Sequence, residues 1–205
     1  MSLDVCILAG GLGTRLRGIW DGPKCLVPVG PKKIPLLEVL FRKLEPLKSR
    51  TVVLFLGQQA KEVLQWLFKR EEELAVEFLP GTRVLFSVEP CPLGTLGAVR
   101  LALPLLAPSL LILNGDTLPL FDLAAKVEEI IHGYLRMNVS LFHSGNYSGI
   151  TIVQNAATLR KMQEVNDPSL DWILLQDSMQ VSIENGFIDV GTPEGFKRSQ
   201  QWEQT

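Results

Sequence analysis

The chain has 205 residues, 46% hydrophobic and 20% charged, with a formal net charge of -2. That length suits one well-filled domain over residues 1–205 and is short for two. Near-neutrality, with no basic run longer than Lys32-Lys33, excludes the clustered cation excess that a phosphate backbone demands, so nucleic acid is not an expected partner.

Cys6, Cys25 and Cys91 are widely spaced and form no Cys-x-x-Cys pair, which argues against a disulfide framework or a zinc site and suits a reducing compartment. Each reads as a buried thiol acting as a small hydrophobe. His132 and His143 lie far apart in sequence and are expected at partly exposed positions. No basic leader precedes Asp4, and the longest apolar stretch, Leu101 to Leu113, is interrupted by Pro104 and Pro108. It is too short to cross a bilayer, so a cytoplasmic protein with no membrane partner is expected. A monomer and a homodimer are both compatible with the sequence.

In chain order, Val5 to Leu8 is an apolar run ended by glycines, the pattern of a strand buried on both faces. Leu36 to Leu47 has helical apolar spacing, and Thr51 to Leu56 is a second strand, stopped at Gly57. Gln59 to Arg70 is a helix, Arg83 to Val88 a third strand, and Thr95 to Leu103 a helix stopped before Pro104. Leu110 to Leu113 is the fourth strand, followed by a helix from Asp122 to about Gly133 and a strand around Asn138 to Phe142. Further elements are a strand at Gly149 to Val153, a helix near Ala156 to Gln163 and a hairpin around Asn185-Gly186. A last helix starts with Thr192 as N-cap and Pro193 in its first turn. This alternation predicts an α/β fold with a mostly parallel central sheet covered by helices on both faces. The ligand site of such a sheet lies beyond the carboxyl ends of its strands.

Two polar segments, Gly10 to Arg15 and Asn114 to Thr117, each follow an apolar strand and should meet at that edge. Gly10, Gly11 and Gly13 let backbone N–H groups point at an anion, and Arg15 adds a permanent charge suited to phosphate oxygens. The spacing is neither the G-x-x-x-x-G-K-[ST] loop nor G-x-G-x-x-G, since Leu16 stands where the last glycine would be. Pro23 to Pro28 reads as an extended segment that folds back over the glycine loop, bringing Lys24 to the same phosphates. Asp116 and Asp189 both end strands, a usual place for a magnesium ligand; either alone would more often be a cap or turn former, but both stand after strands beside the glycine loop.

Leu8-Ala9-Gly10-Gly11-Leu12-Gly13-Thr14-Arg15-Leu16, followed by Pro23-Lys24-Cys25-Leu26-Val27-Pro28-Val29, resembles the signature of the sugar-phosphate nucleotidyltransferases. Glu89 to Ala98, Leu113 to Thr117 and Phe187 to Glu194 match that family in the same order. Within it the chain is most similar to the D-glycero-D-manno-heptose 1-phosphate and mannose-1-phosphate guanylyltransferase branches, and Arg17 and the Phe187 to Glu194 ending favour the former.

The resemblance implies a single Rossmann-like three-layer domain that binds a nucleoside triphosphate and a sugar 1-phosphate with Mg²⁺. It assigns nucleotide contacts to Leu8, Ala9, Gly10, Gly11, Gly13, Thr14, Glu89, Leu93, Gly94 and Thr95, and sugar contacts to Asn114, Gly115 and Gly149. Arg15 would stabilise charge at the α-phosphate and departing pyrophosphate, and Lys24 would touch the sugar phosphate or the α-phosphate. Asp116 and Asp189 would hold the metal, with Asp116 catalytic. Glu89 can accept hydrogen bonds from guanine N–H groups, or it is a solvated strand-end residue.

Three departures from the family concern mainly the sugar half. The Glu-Lys pair usual after the Asn-Gly-Asp strand is absent: Glu164 and Glu184 are not followed by lysine. The Arg15-to-Lys24 loop is about one residue short, and Leu96 replaces a small residue. They admit a second class of function, a nucleotide-binding or regulatory protein without transferase activity. An ordinary Rossmann oxidoreductase is disfavoured, because the second strand ends in Leu56-Gly57-Gln58 rather than the ribose-binding acid.

Overall fold

The computed structural model describes residues 3–107, 109–133, 138–143, 146–154, 158, 161 and 178–203. Its strands are β1 (Leu3–Leu8), β2 (Pro28–Val29), β3 (Ile34–Pro35), β4 (Thr51–Leu56), β5 (Arg83–Val88) and β6 (Ser109–Asn114). Then come β7 (Thr117–Pro119), β8 (Asn138–His143), β9 (Asn146–Val153), β10 (Ser178–Ser182) and β11 (Phe187–Asp189). The principal helices are α1 (Leu36–Leu44), α2 (Ala60–Phe68), α3 (Gly94–Ala102), α4 (Leu123–Gly133) and α5 (Pro193–Ser199).

A seven-stranded sheet has the order β10-β8-β9-β6-β1-β4-β5. Strands β6, β1, β4 and β5 run parallel to one another, as β10 does to β8, whereas β9 is antiparallel to both β6 and β8. This is the expected mostly parallel sheet.

The continuous apolar runs arise because both faces are covered. Successive strand side chains point to opposite faces. Val5, Ile7, Val52, Leu54, Leu111 and Leu113 therefore pack into one cluster with Leu40 of α1, Val63 of α2 and Val127 of α4. Cys6, Val53, Phe55, Leu110 and Ile112 face the other way, onto Leu96, Val99 and Ala102 of α3. Leu96, the departure from the family's small residue, is thus a buried core contact. At the pole opposite the strand carboxyl ends, fully buried Asp4 accepts from Arg50 Nη2 at 2.7 Å and from the Ala107 N–H at 2.8 Å.

Several elements differ from the sequence reading. Helix α1 stops at Leu44, and a 3₁₀ turn over Glu45–Leu47, containing Pro46, replaces the expected last turn. Pro23 to Pro28 is not extended throughout: Lys24–Leu26 forms a 3₁₀ turn, with Leu26 N–H donating to Pro23 O and Val27 N–H to Lys24 O. Asn185-Gly186 turns the chain but makes no hairpin, because β10 pairs with β8 while β11 pairs with β7. Cys6 and Cys25 are buried, but Cys91 is exposed on the loop before α3. The helix expected near Ala156 to Gln163 lies outside the described residues, apart from Thr158 and Lys161.

Helix α5 starts as the sequence implied. Thr192 Oγ1 accepts from the Gly195 N–H at 3.1 Å and donates to Asp189 O at 3.0 Å, and Pro193 stands in the first turn. Thr192→Ala should lower stability by about 1 kcal/mol, read from the urea midpoint at an unchanged slope. A shift within error would remove the cap from the account.

Candidate active site

At the end of β1 the Ala9 N–H still donates to Phe55 O at 2.8 Å, and the chain then leaves the sheet. Among the described residues, none of the N–H groups of Gly10, Gly11, Leu12 and Gly13 donates to a protein acceptor. Gly13 takes the left-handed conformation (φ 66°), which turns Thr14 to Leu16 into a 3₁₀ turn anchored by buried Leu16. Beneath the loop Gly57 follows β4, and a Cβ there would run into Gly10 O, so only glycine permits this approach. Gly57 read in the sequence merely as a strand stop.

Beside the loop, the Glu89 N–H extends the β4–β5 ladder by donating to Leu56 O at 2.8 Å. The Glu89 carboxylate accepts from the Leu93 N–H at 3.2 Å, which ties it to the entry of α3. It is therefore not simply a solvated strand-end residue. Gly94 opens α3 with φ 68°. Gly10, Gly11, Glu89, Thr95, Asn114 and Asp116 line a cleft of about 320 Å³, together with Leu8 and Gly94. Ala9 and Thr14 flank the loop, and Leu93 lies at the helix entry.

Asn114 ends β6 opposite Leu8, and the Gly115 N–H donates to Leu8 O at 2.9 Å. Gly149 (φ 80°) lies against Asn114: a Cβ there would fall 2.1 Å from Asn114 Nδ2. The three residues assigned to the sugar are thus contiguous.

Asp116 and Asp189 meet through a device the sequence did not reveal. Strands β7 and β11 form a separate antiparallel ribbon with Thr117 opposite Asp189, and the Val190 N–H donates to Asp116 O at 2.8 Å. The one-turn helix at Lys24 buries Cys25 and leaves Lys24 Nζ 2.9 Å from Asp116 Oδ2. Arg15 Nη1 lies 3.4 Å from Asp189 Oδ2. The lysine pair is shielded, with side chains 16% and 20% exposed, and the arginine pair is solvated, at 55% and 50%. Water screens the second pair, so it holds its geometry weakly and opens easily to a ligand.

Gly191 sits between the pairs and was missed as a site residue. Its N–H donates to Asp189 Oδ1 at 2.9 Å, and a Cβ there would stand 2.6 Å from Asp116 Oδ2, 2.9 Å from Lys24 Nζ and 3.0 Å from Asp189 Oδ1. The available signal was its place between Asp189 and the helix cap Thr192.

This geometry fits a hard divalent cation. Two carboxylates converge on a gap kept open by glycine. Magnesium is commonly held by one or two carboxylates, with water and substrate phosphate completing the shell.

The neighbouring thiols are unsuited to chemistry. Burial pushes the Cys25 thiol up to about 12, with nearby Asp116 adding to the rise, and pushes Cys6 well above its ordinary range. A thiol reagent should therefore label Cys91 alone in the folded protein and all three cysteines after denaturation; rapid native labelling of Cys25 would contradict its burial.

The carboxyl edge of this α/β sheet presents unpaired backbone donors beside facing lysine, arginine and aspartate side chains, an arrangement suited to anions. Residues 5–146 match the Nucleotidyl transferase family, and the chain belongs to it. Asp189 and Gly191 lie beyond the matched stretch.

The chain is 37% identical over 123 residues to the D-glycero-alpha-D-manno-heptose 1-phosphate guanylyltransferase of Campylobacter jejuni, covering 60% of this chain and 51% of that protein. The match therefore spans about half of that relative. A protein of the same name from Aneurinibacillus thermoaerophilus is 26% identical over an alignment covering 97% of both chains. Among solved structures, HddC from Yersinia pseudotuberculosis shares the fold with TM-score 0.71 at 23% identity, covering 96% of this chain and 97% of that one, and has also been solved complexed with GMP-PN. No helix among the described residues is long and apolar enough to cross a membrane.

Proposed function

We propose that the protein is a sugar-1-phosphate guanylyltransferase, joining a heptose- or mannose-type sugar 1-phosphate to GTP with release of pyrophosphate. The observation that carries this reading is the meeting of Lys24, Asp116, Arg15 and Asp189 around the Gly191 gap, next to a loop with four undirected N–H donors. The heptose guanylyltransferase relatives support the substrate class.

An oxygen of the sugar phosphate attacks the α-phosphorus of GTP in line; the new P–O bond forms as the bond to the β-phosphate oxygen breaks, and pyrophosphate leaves with that electron pair. No general base is needed, because a phosphate monoester is ionised at neutral pH. The N–H groups of Gly10 to Gly13 hold the triphosphate, and Lys24 draws the two reacting phosphates together. Arg15 neutralises charge developing towards the leaving group. Asp116 and Asp189 would hold the divalent cation, for which we take Mg²⁺; when bound it supplies charge neutralisation between the phosphates. With one carboxylate oxygen on Leu93, Glu89 keeps the other for the N–H edge of guanine.

The absent Glu-Lys pair favours one competing reading, a nucleotide-binding protein without turnover. Pyrophosphate release measured with GTP, ATP, UTP and CTP, Mg²⁺ and a panel of sugar 1-phosphates separates the two. Turnover is expected, fastest with GTP and a heptose or mannose 1-phosphate. Calorimetric nucleotide binding with no turnover across the panel would reject the transferase.

A further inference from the structure

Beside the glycine loop lies a second cavity, also about 320 Å³, lined by Gly11, Gly13, Arg17, Asp21, Gln58 and Gln59. Gly11 belongs to this cavity and to the nucleotide cleft, so the loop forms a wall shared by both. We propose that Arg17 and this cavity receive the pyrophosphate end of the nucleotide, with Arg17 adding a second cation for the leaving group beside Arg15. The inference rests on the transferase reading and adds a binding residue to it.

The argument is one of charge. Pyrophosphate departs as a multiply charged anion and is matched better by more than one cation. Lys24 is held by Asp116 at 2.9 Å in a shielded pair, and Arg15 shares its charge with Asp189 across a solvated 3.4 Å pair, so each is partly opposed by a carboxylate before a ligand arrives. Among the described residues the Arg17 guanidinium has no ion pair or hydrogen bond and is exposed at the cavity. A guanidinium presents a planar set of donors that engages two phosphate oxygens at once.

The frame around Arg17 is held in place. Buried Leu16 separates Arg15 from Arg17, and its carbonyl accepts from the N–H groups of Ile19 and Trp20 at 2.9 Å. Trp20 Nε1 donates to Pro23 O at 3.0 Å, and Gln59 Nε2 donates to Asp21 O at 2.9 Å, closing the rim. Gly22 lies against the indole; a Cβ there would be 2.9 Å from the ring. The carboxylate on this rim, Asp21, directs Oδ1 to the Gly18 N–H at 3.4 Å. Gly11 and Gly13, whose N–H groups have no protein acceptor among the described residues, line the same cavity.

The test compares wild type, Arg17→Ala and Arg17→Lys in pyrophosphorolysis of a GDP-sugar, with calorimetry on GTP, GMP and inorganic pyrophosphate. In Arg17→Ala the KM for pyrophosphate should rise about tenfold or more, with partial recovery in Arg17→Lys, while the KM for GDP-sugar stays within about twofold. GTP binding should weaken in step and GMP binding should not, a split that general loosening of the loop would not produce. An unchanged KM for pyrophosphate, or equal weakening of GMP and GTP, overturns the assignment. Should wild type bind pyrophosphate without turnover in either direction, the transferase reading falls, and loss of that binding in Arg17→Ala still supports the anion site. Retained binding in that variant would reject both.

Discussion

Asp116→Asn is expected to slow turnover about a thousandfold while the protein stays folded, the scale of losing one preorganised charge where a metal and phosphates meet. Asparagine keeps the shape and one acceptor oxygen but removes the charge that opposes Lys24 at 2.9 Å. That pair is largely shielded from water, so the loss is felt locally, yet Lys24 can still donate to the amide oxygen and the cost in stability should be about 1 kcal/mol. The Val190 N–H bond to the Asp116 carbonyl is backbone and survives the change. Steady-state pyrophosphate release beside a urea melt separates the two effects, and raising Mg²⁺ should recover part of the rate. Near-normal activity at ordinary Mg²⁺ would remove Asp116 from the metal site.

Gly191→Ala should be nearly as damaging, about a hundredfold or more in rate, although it adds a single methyl group. The Gly191 backbone is not in the left-handed region, so alanine is permitted there conformationally. Its methyl would stand 2.6 Å from Asp116 Oδ2 and 3.0 Å from Asp189 Oδ1, too close for either carboxylate to keep its place. Displacement by about 1 Å at a reacting centre is enough for such a loss. Relief can come from rotating side chains, so stability should fall by only about 1–3 kcal/mol, the usual range for overpacking. Metal-free GTP binding, read by calorimetry, should change less than the rate, because the atoms nearest the methyl belong to Asp116, Lys24 and Asp189 and not to the glycine loop. Wild-type kinetics in Gly191→Ala would mean that the gap takes no part in the reaction.

How much of this was legible beforehand follows from how local each feature is. The runs Val5 to Leu8, Thr51 to Leu56 and Leu110 to Leu113 are apolar at successive positions because helices cover both faces of the sheet, so pattern alone led to the parallel core. The glycine loop and Asp116 were found the same way, as polar segments placed directly after buried strands. Thr192-Pro193 was readable as a helix start because capping is settled within four residues. Asn185-Gly186 misled for the complementary reason: a turn signal records a local reversal and not which strands pair afterwards.

The sequence by itself determined the sheet, its two covered faces, the edge at which a ligand would lie and the charged residues available there. Tertiary structure alone decided that Lys24 faces Asp116, that the β7–β11 ribbon sets Asp189 beside them, and that Gly191 keeps the space between them open. These contacts join residues far apart in the chain, and no local periodicity or turn preference encodes the distance between two side chains that only the packed sheet brings together.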